Sequence, residues 1–420
     1  MKTIGSIGSI LEQPKLPIAF VGTYPPRECG IATFTCDTTN AIARLNPRSG
    51  SYVIAVNDSG RSYQYNENVV FTIDQDDHSS YVKAAAFINN SAAEIVNIQH
   101  EYGIFGGLWG DNLLFLLEHL KKPVVTTFHT TLPEPDFYVR KLTQFIAHYS
   151  EKVIGLTQKS IDLLTDEYGI DDSKLKVVFH GVPDVRKVST QHFKKLFNVE
   201  DRLVISTFGL INSSKGIEYM IDALPSIISH HPDVIYLVLG QTHPVVRQRE
   251  GESYRQQLAE QVKRLGLEDY VVFVNRYLSF NDLVKYLLAT DVYVTPYLNK
   301  NQIVSGTLAY AVGCGKAIVS TPYLYAEEAL AEGRGIIVDF KDSRAMARAV
   351  NHILSDKAFK AKLEAATYKY GRRMIWSVVA KEYMVIFNEA LRKQKVKESK
   401  IVSPKLAPTQ KLAKESLPFV

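Results

Sequence analysis

Short runs of apolar, often β-branched residues alternate along the chain with longer segments in which apolar residues recur at helical spacing. In the first half, seven such runs predict strands at residues 17–21, 52–56, 69–73, 94–98, 123–128, 152–156 and 176–179. Helical patterns stand between many of them, for example at 112–120 and 159–168. This alternation is typical of βαβ units that build a parallel sheet.

The alternation lapses into a polar stretch near residues 181–199 and then begins again. Strand patterns recur at 203–208, 234–239, 271–274, 291–295, 317–320 and 335–338, with helical patterns at 216–228, 253–265 and 280–289. The chain therefore has the pattern of two α/β domains of similar size joined by a hinge near 182–200. Because ligands of open parallel sheets bind beyond the carboxyl ends of the strands, the cleft between the domains is the expected site.

Composition and length fit this picture. A chain of 420 residues, 46% of them hydrophobic, is long enough for two or three globular domains. Its three cysteines form no paired framework, so we expect a reducing, cytoplasmic setting rather than a secreted disulfide scaffold. No apolar run approaches the roughly 18 residues of a membrane span, and the first residues lack the apolar centre of a signal peptide.

The net charge of +5 comes from the end of the chain. Residues 393–420 hold seven Lys and two Glu, whereas the other 392 residues carry 42 basic and 42 acidic side chains. A nucleic-acid-binding protein would be expected to concentrate positive charge on its folded surface, so this class is excluded. We interpret the Lys-rich tail as disordered, and either solvated or in weak peripheral contact with an anionic membrane surface.

Candidate chemistry in the first half follows predicted strands. Residues 22–34 form the first strand-to-helix turn, in which Gly30 is expected to open a helix whose free amides suit an anion or sugar hydroxyls. Arg27 in the same turn is a candidate acceptor-side contact, although the segment is equally compatible with an ordinary turn. His100, a second candidate acceptor-side contact, and His129 each follow a strand and are expected to face the cleft, where His129 could donate a hydrogen bond to a substrate hydroxyl. The alternative for each is a purely structural histidine, and neither has a partner at metal-ligand spacing.

In the second half, Gly209 and Lys215 belong to a Ser- and Gly-rich loop that enters a helix. A lysine at a helix start opposes the macrodipole unless an anion is present, which favours phosphate binding. Ser305, Gly306 and Thr307 are expected to form the first turn of the helix after strand 291–295, and to offer amides and hydroxyls to a diphosphate, the alternative being an ordinary capped helix.

Two acidic segments complete the candidates. Glu327 and Glu328 follow a predicted strand of the second domain, where a carboxylate could hold a ribose diol. Asp74 and Asp76 match a D-x-D metal–nucleotide pattern, but three residues of pattern carry little weight, and an acidic loop at the end of a strand is the better explanation. We therefore expect no metal site and no bound cofactor.

Together these segments resemble glycosyltransferase family 4, retaining enzymes of the GT-B fold. The resemblance covers roughly residues 17–392 and includes the turn at 22–34, the segment 127–130, His180 with the two residues after it, and the second-domain motifs. It implies a 17–190 Rossmann-like acceptor domain with a closing helix at 374–392, and a 200–373 Rossmann-like donor domain whose parallel sheet faces the first across a cleft. Residues 1–16 and 393–420 are then a flexible N-terminus and a disordered tail.

The chain departs from the family pattern at three positions. Where the family usually has two glutamates eight positions apart, this chain has Gln302 and Tyr310, and where it tends to have an arginine after the loop glycine, this chain has Leu210. Gln302 can form hydrogen bonds with sugar hydroxyls but cannot supply a negative charge.

The resemblance implies metal-independent transfer of a hexose such as mannose or glucose from a nucleotide sugar to a carbohydrate or glycoconjugate acceptor hydroxyl. Lys215 and the amides of 305–307 would stabilise the departing diphosphate, while His129 and Gln302 would hold the sugar. Two alternatives stay open: a retaining sugar phosphorylase of the same fold, and an inactive nucleotide-sugar-binding subunit.

Overall fold

The computed structural model describes residues 15–186 and 189–402, the last eight of these by their backbone alone. The first domain is built on a seven-stranded parallel sheet with the order β3-β2-β1-β4-β5-β6-β7. Its strands are β1 (Ile18–Gly22), β2 (Tyr52–Asn57), β3 (Val69–Asp74), β4 (Ile95–His100), β5 (Val124–Phe128), β6 (Lys152–Gly155) and β7 (Leu175–Val177). Its helices are α1 (Gly30–Leu45), α2 (His78–Asn90), α3 (Leu113–Leu117), α4 (Phe137–Tyr149) and α5 (Gln158–Asp166).

The second domain begins with α6 (Thr190–Lys195) and has a six-stranded parallel sheet with the order β10-β9-β8-β11-β12-β13. Its strands are β8 (Leu203–Phe208), β9 (Val234–Leu239), β10 (Val271–Val274), β11 (Val292–Thr295), β12 (Ala317–Ser320) and β13 (Ile336–Ile337). Its remaining helices are α7 (Ile217–Ile228), α8 (Pro244–Glu250), α9 (Ser253–Arg264), α10 (Phe280–Ala289), α11 (Gly306–Gly313), α12 (Leu324–Leu330), α13 (Ser343–Ser355) and α14 (Lys357–Gly371). The two parallel α/β domains confirm the fold class.

The long last helix, α15 (Trp376–Val402), returns to the first domain. Val379, Tyr383 and Phe387 on this helix are buried in one core cluster with Phe20 of β1. At the crossing point the amide of Trp376 donates to the carbonyl of Val182 at 3.1 Å, next to the segment that joins the two domains.

The closing helix extends ten residues beyond the predicted end at residue 392, so the first part of the tail predicted as disordered is helical. Lys and Glu are good helix formers, and this outweighs the low apolar content of the segment. Residues 403–420 and residues 1–14 lie outside the described part of the chain, whereas Leu16, predicted to be flexible, is 5% exposed and packs in the first domain.

The inner strands β1, β4 and β9 are buried along their whole length because helices cover both faces of the sheets, as expected for parallel sheets. The strand order reverses between β1 and β4 in the first sheet and between β8 and β11 in the second. Crevices open beyond the carboxyl ends of such strand pairs, and the segments singled out from the sequence follow β1, β5, β8 and β11. Within the described residues, no helix is long and apolar enough to span a membrane.

Candidate functional site

Lys215 lies in a 3-10 turn, Ser213–Lys215, directly beyond the carboxyl end of β8. Its Nζ stands 3.9 Å from the centroid of the Tyr297 ring, and it makes no ion pair with any residue that the structure describes. Burial lowers the pKa of Lys215 to about 8. A lysine that is desolvated but has no carboxylate partner is poised to accept an anion.

The first turn of α11 lies against the same loop. The Ser305 hydroxyl accepts from the amide of Leu308 at 3.3 Å and so caps the helix, while Thr307 Oγ1 is 2.8 Å from the Tyr297 hydroxyl. The first amides of a helix have no intrahelical partner and form a site of positive potential. The structure therefore brings Lys215 to the face of the Tyr297 ring and the N-terminus of α11 to its hydroxyl group.

Gly209 lies where these groups converge. Its φ of +153° is one that other residues rarely adopt, and a Cβ there would lie 3.6 Å from Thr307 Cγ2 and 3.9 Å from Lys215 Cε. A glycine leaves room at this point for a ligand to approach the backbone. Four predicted donor-binding positions of the second domain, Gly209, Ser305, Gly306 and Thr307, thus lie together with Lys215.

Gln302 lies in the loop before α11, partly buried, and its Nε2 donates to the carbonyl of Val304 at 3.0 Å. Glu327 is exposed, whereas both oxygens of Glu328 are engaged across the cleft. They accept from the amides of Gln158 and Lys159 at 2.9 Å each, at the N-terminus of α5 in the first domain. In this arrangement Glu328 joins the two domains, and its carboxylate is not free for a ribose.

On the first domain, His129 is 6% exposed and its ring stands edge-on to Phe34 at 4.6 Å. Its Nε2 is 2.8 Å from Gln99 Oε1. Burial, with smaller contributions from the neighbouring histidines His180 and His100, lowers the pKa of His129 to about 3, so the ring is neutral at physiological pH.

His100 does not face the cleft as predicted. It is fully buried among Tyr102, Phe105 and Phe128, and neither ring nitrogen has a partner among the described residues. Successive side chains of a strand point to opposite faces of the sheet, so Gln99 is turned towards His129 while His100 enters the core on the other face.

Arg27 is held within the first domain, where its guanidinium pairs with Asp58 at 2.6 Å and donates to the carbonyl of Val56 at 3.1 Å. Gly30 opens α1 as expected, and Cys29 caps that helix through its sulfur. Apart from its chain neighbours and the backbone of its own helix, no described atom lies within 4 Å of the place that a Cβ of Gly30 would occupy, so the start of α1 is open on this side.

Sequence reasoning missed His180 as a site residue. It is 7% exposed between the domains, with its ring 5.0 Å from that of Phe34, and a Cβ at Gly306 would lie 3.0 Å from its Nε2. Its Nδ1 donates to the carbonyl of Gly181, and burial lowers its pKa to about 4. Like His129, it directly follows a strand pattern, which is the signal that would have found it.

In the part of the chain that the structure describes, three further hydrogen bonds cross the cleft, all from the turn and helix at residues 28–37. They join Gln241 to Glu28 at 2.6 Å, Thr33 to Tyr277 at 3.1 Å, and Tyr310 to Asp37 at 3.2 Å. Burial raises the pKa of Asp37 to about 6. Tyr310, which the sequence resemblance aligns with the family's second glutamate, thus donates a hydrogen bond to a carboxyl of the opposite domain.

The D-x-D pattern forms a local turn. Asp74 accepts from the amides of Asp76 at 3.0 Å and Gly60 at 3.2 Å. Among the residues that the structure describes, no group of three His, Cys, Asp or Glu side chains is placed to hold a metal ion.

Comparison with known proteins shows that the chain matches two protein-family models. The model for "Glycosyltransferase Family 4" matches residues 52–186, and the model for "Glycosyl transferases group 1" matches residues 188–374. The boundary between the two matches falls in the segment that joins the domains.

The chain is 26% identical over 280 residues to a phosphatidyl-myo-inositol mannosyltransferase of Mycolicibacterium smegmatis, which covers 65% of this chain and 67% of that protein. It is 24% identical over 290 residues to a D-inositol 3-phosphate glycosyltransferase of Stackebrandtia nassauensis, over 66% of this chain and 61% of that one. The matched part thus spans about two thirds or less of these relatives.

Among solved structures, the chain is similar to HepE of Anabaena in complex with UDP, with a TM-score of 0.70 and 15% identity over 89% of this chain and 100% of that one. At this identity the likeness concerns the fold. Two consecutive family matches, one to each domain, agree with two parallel sheets and a helix that crosses back, and the chain belongs to the family 4-like glycosyltransferases of the GT-B fold.

Proposed function

We propose that this protein transfers a hexose from a nucleoside diphosphate sugar to an acceptor hydroxyl, with retention at the anomeric carbon and without a metal ion. The bond from the anomeric carbon to the diphosphate breaks, the bond to the acceptor oxygen forms on the same face, and the acceptor proton passes to the departing diphosphate. No protein base is then required.

The observation that carries the proposal is the unpaired, desolvated Lys215 beside the first turn of α11. Both groups offer positive potential where a diphosphate would gain charge as it leaves, and preorganised charges in a dry site stabilise a transition state strongly. Gln302 and His129 lie on the two sides of the cleft and would hold the sugar.

UDP is the first nucleotide to test, because the similar Anabaena structure holds UDP. Wild-type protein and Lys215→Ala would be titrated with UDP by calorimetry, and both assayed with UDP-glucose and GDP-mannose in the presence of chelator. We expect Lys215→Ala to abolish transfer and weaken UDP binding. Its melting temperature should not fall, because Lys215 makes no ion pair with a described residue. Unchanged UDP affinity would contradict the proposal.

A nucleotide-sugar-binding subunit without activity is the second candidate, favoured by the engagement of Tyr310 with Asp37 at a position where the family has a carboxylate. It predicts normal UDP binding without transfer from any nucleotide sugar. It also predicts that the double variant Gln302→Glu with Tyr310→Glu gains transfer activity that the wild-type protein lacks. If the wild-type protein is itself an active enzyme, no such gain is expected.

A further inference from the structure

Beneath His129, buried amide side chains form a chain of hydrogen bonds that ends on the backbone of β5. Asn97 Nδ2 donates to the carbonyl of Val125 at 3.0 Å, and Gln99 Nε2 donates to Asn97 Oδ1 at 2.6 Å. Gln99 Oε1 then lies 2.8 Å from His129 Nε2. Asn97 and Gln99 have no exposed surface, so water does not compete for these bonds.

The direction of this chain follows from the group at its far end. A backbone carbonyl can only accept, so Asn97 must turn its amide nitrogen to Val125 and its oxygen to Gln99. Gln99 must in turn give its nitrogen to Asn97, which leaves its oxygen facing His129. An amide oxygen cannot donate, and the proton of the imidazole therefore sits on Nε2.

The other ring nitrogen, Nδ1, is then the one available to a ligand. No described residue forms a hydrogen bond with it, and it is not enclosed as both ring nitrogens of His100 are. Phe34 covers the ring edge-on, which restricts its rotation. Because the ring is neutral, Nδ1 carries a lone pair and acts as an acceptor rather than as the donor expected from the sequence.

We propose that Gln99 is a positioning residue that holds His129 in the Nε2-protonated tautomer, so that Nδ1 accepts a hydrogen bond from a hydroxyl of the bound sugar. This inference rests on the proposed function and deepens it. A lone pair at Nδ1 selects a hydroxyl and repels a phosphate oxygen, so His129 orients the sugar while the diphosphate is held at Lys215. Polarisation along the chain of hydrogen bonds strengthens the acceptor.

The tautomer can be observed without an activity assay. Protein labelled with ¹⁵N-histidine would be examined by long-range ¹H–¹⁵N correlation, with the His129 signals identified by their loss in His129→Asn. We expect the pattern of the Nε2-protonated ring in wild type and a shift towards the Nδ1-protonated ring in Gln99→Met. Gln261→Met, which removes a buried glutamine of the second domain, should leave the pattern unchanged. An Nδ1-protonated ring in the wild type would overturn the proposal, and this result needs no variant other than the His129→Asn protein used for assignment.

Enzyme kinetics provide a second test of the role of Gln99. Gln99→Met should lower kcat about tenfold or more while leaving UDP affinity unchanged, because one oriented hydrogen bond is lost at the sugar. Gln99→Glu keeps an acceptor at Nε2 but places a carboxylate beside the ring, so the pKa of His129 rises and Nδ1 becomes protonated at higher pH. Its kcat should recover at high pH and fall on an acid limb displaced upward from that of wild type.

A Gln99→Met enzyme with wild-type kcat, or a Gln99→Glu enzyme with an unshifted pH profile, would overturn the positioning role. If the wild-type protein transfers no sugar but shows the Nε2-protonated tautomer and its loss in Gln99→Met, the proposed function fails while the arrangement of Gln99 and His129 stands. The two failures are therefore distinguishable.

Discussion

At the scale of single residues, the charge of Lys215 should make UDP affinity depend on pH. Burial lowers the pKa of its ammonium group to about 8, and a bound diphosphate would raise that pKa again. UDP affinity should therefore be nearly constant from about pH 7, where the terminal phosphate is mostly ionised, to about pH 8, and weaken at higher pH by up to about tenfold per unit. Calorimetric titration with UDP from neutral to alkaline pH measures this.

Lys215→Arg is the matched control for this pH dependence, since a guanidinium keeps its charge throughout the range. Its UDP affinity should be independent of pH on the alkaline side, whatever its absolute value. Equal alkaline weakening in wild type and Lys215→Arg would show that another group is responsible for the pH dependence.

The residues of the site were predictable from the sequence to different degrees. Lys215 and Ser305 were found because loops after strands and helix starts are local features. His100 and His129 look alike in the sequence, yet one is enclosed in the core and the other borders the cleft. The face of the sheet on which a side chain lies at the end of a strand depends on the register of that strand and on the helices that cover it. Neither can be predicted from a short motif.

At the scale of elements, the N-terminus of α11 combines stability with binding. Ser305→Ala removes the cap and should lower the free energy of unfolding by about 1 kcal/mol. It should also weaken UDP binding, because the first turn that it orders lies beside Lys215. Thermal melts and UDP titration of the same samples test both effects.

The cap of α13 offers a matched control. Asp342 accepts from the amide of Ala345 at 2.8 Å, so Asp342→Ala loses a comparable cap in another helix of the same domain. It should cost similar stability with no change in UDP affinity. If both variants weakened UDP binding equally, the effect would belong to the stability of the domain and not to α11.

Most of the helices and strands could be predicted from the sequence, because the alternation of strands and helices gives a periodic pattern of apolar residues. The end of α15 was not predicted, since the segment after Arg392 is rich in Lys and was interpreted as a tail. The helix continues to Val402, two residues before Pro404. The good helix propensity of Lys and Glu in this segment was a better guide than its low apolar content.

At the scale of the whole molecule, the cleft is bridged from both sides. Glu28, Thr33 and Asp37 near the start of α1 contact the second domain, and Glu328 of α12 contacts the start of α5. None of these pairings could be predicted from the sequence, because each joins residues more than 160 positions apart through the relative placement of two domains. Contacts of this kind determine how readily the cleft opens.

Among these contacts, the one made by Glu328 can be removed by a single substitution. Its carboxylate accepts from two free amides at the N-terminus of α5, where the helix dipole favours negative charge. Glu328→Ala should make the closed arrangement of the two domains less favourable by about 1 kcal/mol. The equilibrium between open and closed forms then shifts several-fold towards the open form. Small-angle scattering of the free protein should then show a larger radius of gyration than for wild type.

UDP affinity of Glu328→Ala should stay near that of wild type, because Lys215 and the first turn of α11 both lie in the second domain. Turnover should fall, since transfer needs His129 of the first domain and the donor of the second within one closed site. Glu332→Ala, which removes an exposed carboxylate paired with Arg334 inside the second domain, is the control and should change neither scattering nor turnover. A Glu328→Ala protein with weakened UDP binding and an unchanged radius of gyration would instead place this carboxylate at the ribose, as the sequence suggested.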